Sequence, residues 1–232
     1  MHKIAALILL TILISIFEMK GKPPIWKSKT LSEDFPCDEN AFEYPVFIDD
    51  GKINLLKYSE IENNSLIITP SERNISGGAW YKELVPVGNG FIIDFSFSIS
   101  KTVKGTVTDS SQTGADGFAF VIQNHSYSYM GGIGKRIGYD ELWHSVAIEF
   151  DLFNNDISNP HWDPIGDPNG NHIAVQTGGR SSNSYEHTAE NTLGITTEII
   201  EIKSDSSIYH CRIHYDTLDN TLRIYLDDTG EF

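Results

Sequence analysis

Residues 91–99 read FIIDFSFSI, which puts Phe91, Ile93, Phe95, Phe97 and Ile99 on one face at a period of two. An extended strand with one buried face accommodates that pattern, whereas a helix would scatter these side chains around its axis. Shorter runs of the same kind recur at 65–69, 117–123 (GFAFVIQ), 145–150 (SVAIEF), 172–176, 209–215 and 221–226. Turn-forming clusters separate them: Gly77-Gly78, Val87-Gly88-Asn89-Gly90 and Asp219-Asn220. The last two runs, CRIHYD and TLRIYLD around TLDN, predict a hairpin. No stretch shows a long 3.6-residue period capped at both ends, and helix is limited to a short turn within 192–202. The expectation is all-β: one antiparallel β-sandwich without repeats or an interdomain linker.

Composition narrows the partners. Hydrophobic residues are 40% of the chain and aromatics 11%, enough to bury a core and to exclude global disorder. The formal charge of −15 argues against nucleic acid, whose phosphates need a basic face. Acid-rich loops suit hard cations such as calcium. Lys3 precedes an uncharged apolar run at 4–17, too short to span a bilayer comfortably but fitted to a signal peptide. Residues 1–21 are read as that signal, with Gly21 the best small residue for cleavage, residues 22–40 as a polar leader, and 41–232 as the folded domain. A secreted or lumenal chain with no stable membrane span after cleavage is expected. Asn63, Asn74 and Asn124 each begin an N-x-[ST] sequon, which agrees with that location. Cys37 and Cys211 are either a disulfide joining the two ends of the domain or two thiols.

The chemistry concentrates in residues 149–172, EFDLFNNDISNPHWDPIGDPNGNH. Glu149 and Asp151 alternate with Ile148, Phe150 and Leu152, so a strand presents both carboxylates on one face. Like charges repel there unless a cation lies between them. Asn155, Asp167 and His172 follow. Carboxylates, an amide oxygen and a backbone carbonyl suit calcium, and a histidine nitrogen suits a transition ion such as manganese. The alternative is a solvated strand edge running into a polar loop. An EF-hand is excluded, because Asp167-Pro-Asn169-Gly-Asn171 lacks glycine at the sixth position and glutamate at the twelfth.

Four segments in order, GADGFAFVIQN (114–124), GGIGKRIGY (131–139), SVAIEFDLFNN (145–155) and DPNGNHIAV (167–175), resemble the legume-type (L-type) lectins over roughly 41–232. The resemblance implies a concanavalin A-like jelly roll holding Ca2+ and a transition ion such as Mn2+ beneath a shallow sugar pocket. By motif, Glu149 would ligate the transition ion and His172 would complete its site. Asp151 and Asp167 would bridge both ions. Phe153 would give calcium its carbonyl, and Asn155 its side-chain oxygen. Asp163 rivals Asp167, because twelve positions separate Asn155 from Asp167. Asp116, otherwise an ordinary turn residue in Ala-Asp-Gly, would accept hydrogen bonds from sugar hydroxyls, with the Ala115–Asp116 peptide cis. The glycine run would bring a backbone donor to the ligand at Gly134 or its neighbour Lys135; otherwise it is a flexible loop. The Phe153 ring would meet the sugar, and the Asn155 amide would donate to it.

Trp143 and Trp162 are read as packing residues, and His125, His144 and His161 as surface residues. A glycoside hydrolase on this architecture is disfavoured. β-Glucanases of this type carry Glu-x-Asp-x-x-Glu, and here Asn154 stands at the last position. The reading is therefore a non-catalytic, metal-dependent lectin whose partners are glycans or glycoproteins. A sandwich module for protein contacts is the alternative. Shallow sites gain from avidity, so a homo-oligomer is expected. Family members usually continue with further strands after the 221–226 run. The resemblance thus implies a sandwich either short of its C-terminal strands or closed differently.

Overall fold

The structure, a computed structural model, describes residues 46–72, 74–100, 115–158, 164–198 and 201–227. Cys37, Asp163, His161, Trp162 and the 1–40 segment lie outside these. Eleven strands are described: β1 (Ile53–Lys57), β2 (Glu60–Glu62), β3 (Ser65–Ile67), β4 (Gly77–Tyr81), β5 (Phe91–Ser98), β6 (Gly117–Gln123), β7 (Ser145–Asp151), β8 (His172–Thr177), β9 (Thr192–Ile195), β10 (Ile208–Asp216) and β11 (Thr221–Asp227). A single α-helical turn, α1 (Asn155–Ser158), follows β7. Every strand pairing described is antiparallel.

Two sheets face each other, ordered β6-β7-β8-β9 and β11-β10-β5. The core lies between them. Phe118, Phe120 and Ile122 of β6, Ile148 and Phe150 of β7, and Ile173 of β8 meet Phe97 of β5, Tyr209, Cys211 and Ile213 of β10, and Ile224 of β11. Phe91, Ile93, Phe95 and Ile99 pack against this cluster, so the period-two face of 91–99 is the inner face. Phe118 stacks on Phe150 with centroids 4.8 Å apart. A second apolar cluster covers the opposite face of β6 and β7 with Trp80, Ile137, Tyr139 and Leu142 over Ala119, Val121 and Ala147. The predicted hairpin is present, with Cys211 opposite Leu226.

Two expectations for local structure differ from the fold. Gly77-Gly78 opens a fully buried strand instead of a turn. A β-carbon on Gly77 would lie 1.7 Å from the Ile68 carbonyl oxygen, so glycine is there for close backbone approach. Residues 192–195 form a strand against β8, not a helical turn. Trp143 also departs from its packing role. It is 48% exposed beside His144, while His144 and His125 are exposed as read.

Candidate functional site

Strand register builds the site. Gly117, Asp151 and His172 are direct neighbours across β6, β7 and β8, and Ala119, Glu149 and Ala174 form the next such row. Side chains in a row share a face, so Glu149, Asp151 and His172 converge on the face opposite the Phe150 core. Ala119 and Ala174 flank Glu149 with minimal volume. Glu149, Asp151, Asn155, Asp167 and His172 are all buried.

Each ligand candidate is fixed by a second contact. The Tyr139 hydroxyl donates to Glu149 Oε2. The Asp151 carboxylate accepts from the Phe153 N–H at 2.7 Å, and Asp167 Oδ2 accepts from the Asn155 N–H at 2.7 Å. His172 Nδ1 lies 3.0 Å from the Asn169 carbonyl, an arrangement that suits an Nδ1–H donor and leaves Nε2 with its lone pair. Asp151 Oδ2 and His172 Nε2 are buried and have no hydrogen-bond partner among the described residues, and Asp167 Oδ1 has His187 Nδ1 beside it at 3.2 Å. Asp151, Asp167 and His172 bring one ligand atom each within 4.8 Å of one another, and so do Glu149, His172 and His187. An unpartnered carboxylate oxygen beside an imidazole lone pair fits a cation better than it fits a core. The donor set holds both oxygens for a hard ion and nitrogen for a transition ion.

The same crowding shifts the titration of these groups. Burial, with Glu149 and Asp167 adding repulsion, pushes the Asp151 carboxyl well up. Burial lowers His172. Burial also opposes charge on His187, but its polar contacts with Asp167 and Glu149 prevail and raise it to about 10.

His187 has no counterpart in the sequence reading. It lies 2.9 Å from Glu149 Oε1 through Nε2 and 3.2 Å from Asp167 Oδ1 through Nδ1. Its window, Ser-Tyr-Glu-His-Thr, carries no strand period and no ligand spacing. The one hint was the imbalance of three acids against a single histidine.

Asp116 stands at the rim, directly before β6, and the Ala115–Asp116 peptide is cis. Burial raises its carboxyl, and a hydrogen bond from the Asn155 side chain opposes that rise. The glycine run curls back on itself through Gly131 N–H to Gly138 O at 2.8 Å and Ile137 N–H to Gly134 O at 2.9 Å. A β-carbon on Gly134 would lie 3.6 Å from Asp116 Oδ2. Leu152 packs on the core, and Phe153 is half-buried outside both apolar clusters. Asp116, Gly134 and Asn155 thus come together at one rim, with Phe153 two residues beyond Asp151. Asn154, at the position a glucanase would fill with glutamate, offers no carboxylic acid.

The profile of the legume lectin domain matches residues 39–231. This chain belongs to the legume lectin domain family. Legume lectin domains are non-catalytic carbohydrate-binding modules. A lectin of Lathyrus sphaericus is 31% identical over 112 residues, 45% of this chain and 45% of that protein, so the match spans less than half of the curated relative. The exoplasmic/lumenal domain of VIP36, solved with Ca2+ and Man3GlcNAc, superposes with TM-score 0.53 at 18% identity over 81% of this chain and 68% of its own. Basic winged bean lectin with Tn-antigen gives 0.52 at 22%, over 78% and 76%. The Lotus tetragonolobus seed lectin gives 0.54 at 20%, over 79% and 80%. These likenesses establish the β-sandwich fold.

Proposed function

We propose that this chain is a metal-dependent, non-catalytic lectin that binds glycans at the Asp116 rim. One observation carries the reading: Asn155 links the rim to the acidic cluster, bonding Asp116 through its side chain and Asp167 through its backbone N–H. Family membership and relatives solved with sugars support it. Asp116 accepts hydrogen bonds from sugar hydroxyls, the Gly134 loop offers a backbone donor, Asn155 donates its amide N–H, and the Phe153 ring covers the apolar sugar face. Calcium would be held by Asp151, Asp167, Asn155 and the Phe153 carbonyl. A transition ion, manganese or a relative, would be held by Glu149, Asp151, Asp167 and His172. Bound ions supply the positive charge that lets the buried carboxylates stay ionised together. Aimed by Asn155, Asp116 then stays fixed without them repelling the loop apart.

Secretion or residence in the secretory lumen accords with the Lys3-led apolar run, with exposed Asn63 and Asn74 in turns and exposed Asn124 just after β6, and with the lumenal origin of the VIP36 domain. No helix among the described residues is long and apolar enough to cross a membrane. A homo-oligomer would multiply a shallow site.

The test is a glycan-array profile of residues 22–232 with calcium and manganese, repeated in chelator. Binding to a defined sugar class that chelator abolishes is expected. Folded protein that binds no glycan with ions present would overturn the lectin reading. Binding that survives chelation would overturn only the metal dependence.

A further inference from the structure

We propose that His187 is a protein ligand of the transition ion, so that Glu149, His172 and His187 form a two-histidine, one-carboxylate site. The proposal rests on the metal-dependent reading above and revises it at one point: Asp151 and Asp167 serve calcium instead of bridging both ions, and the transition ion the site prefers changes with its ligands. Glu149 Oε1 lies 2.9 Å from His187 Nε2 and 3.9 Å from His172 Nε2. Donors about 2.0–2.2 Å from one tetrahedral ion stand roughly 3.3 Å apart, and the two separations bracket that figure. The imidazoles meet edge to face, with centroids 5.0 Å apart and planes at 72°, and each has its Nε2 as the ring atom near Glu149 Oε1.

Both histidines are held for this task. The Asn169 carbonyl orients His172 and leaves its buried Nε2 facing the cluster without a hydrogen-bond partner among the described residues. The His187 backbone N–H donates to the Ile165 carbonyl at 2.7 Å, which ties its segment to the loop that carries Asp167. The His187 side chain is 3% exposed, so its ring is withdrawn from solvent beside the acids. It faces Glu149 and Asp167 across these contacts, with His172 at its edge.

A second nitrogen donor alters selectivity. Oxygen-rich sites suit manganese and calcium, whereas imidazoles favour zinc, cobalt and nickel. His187 therefore moves this site toward zinc while leaving the Asp151–Asp167 pair for calcium.

The experiment is calorimetric titration of the chelator-stripped full chain, in excess calcium, with zinc and separately with manganese. The wild type and His187→Gln are compared. Zinc is expected to bind the wild type more tightly than manganese, and His187→Gln to weaken zinc by about tenfold or more with manganese little changed. Unchanged zinc affinity would overturn the proposal. Tighter binding of every ion in the variant would overturn it too, showing His187 to be a plug that ions must displace. Should the variant fail to fold, 15N-histidine spectra of the zinc-loaded wild type decide: two metal-bound imidazoles support the proposal and one refutes it. Glycan binding is read separately, so loss of the lectin reading leaves this result standing and the converse also holds.

Discussion

Asp116 and Asp151 are both partly defined by burial, yet their surroundings assign them different work. Burial raises Asp116, and one amide from Asn155 opposes it. Asp151 is pushed further by two neighbouring carboxylates. Asp116→Asn keeps the shape and loses an acceptor. Its glycan binding should drop below detection while metal content, read by elemental analysis, stays at wild-type stoichiometry. Joint loss of both would make Asp116 structural. Asp151→Ala should remove ion and glycan together, and retained glycan binding in that variant would sink the link between ion and pocket. The acids and His172 were legible because strand alternation and short spacing bring them into one window. His187 was not, because its position is set by the path of the loop between β8 and β9, which no local pattern encodes.

At the scale of elements, β7 does two jobs on two faces. Phe150 packs between the sheets while Glu149 and Asp151 face the ligand side. Phe150→Ala should cost about 3–5 kcal/mol in denaturant unfolding, from a cavity beneath Phe118. A loss under 1 kcal/mol would mean the core collapses around the gap. Gly117 has φ +150°, and a β-carbon there would lie 2.1 Å from the Phe150 carbonyl oxygen. Gly117→Ala should therefore destabilise by more than about 1 kcal/mol and reduce ion affinity with it, because β6 must move off β7. Strands with one polar face, such as β5, β7 and β10, were readable from alternation. β4 is buried on both faces and begins with two glycines, so its pattern imitates a turn. β9 is four residues long and owes its form to pairing with β8.

At the scale of the molecule, ions held as proposed would make stability conditional on their presence. A tight ion at about a hundred times its dissociation constant adds about 2.7 kcal/mol. Chelation should then lower the melting temperature by about 5–10 °C, and readdition of calcium and a transition ion should restore it. An unmoved transition would show that His187 alone balances the acids. The two-sheet architecture followed from periodicity and turns, and the family from four motifs in order. The covering layer of Trp80, Tyr139 and Leu142 over β6 and β7 did not, since its residues come from segments with no shared period.

The row Gly117–Asp151–His172 joins positions far apart in the chain through strand pairing alone. A growing polypeptide that has emerged only as far as β7 lacks His172, and one with slipped register carries its acids on the wrong face. On the proposed function, adhesiveness is therefore a property of the finished product. While it is being made, a chain that works as proposed would be inert toward glycans, and it would become sticky only when its last ligand-bearing strand has docked in register.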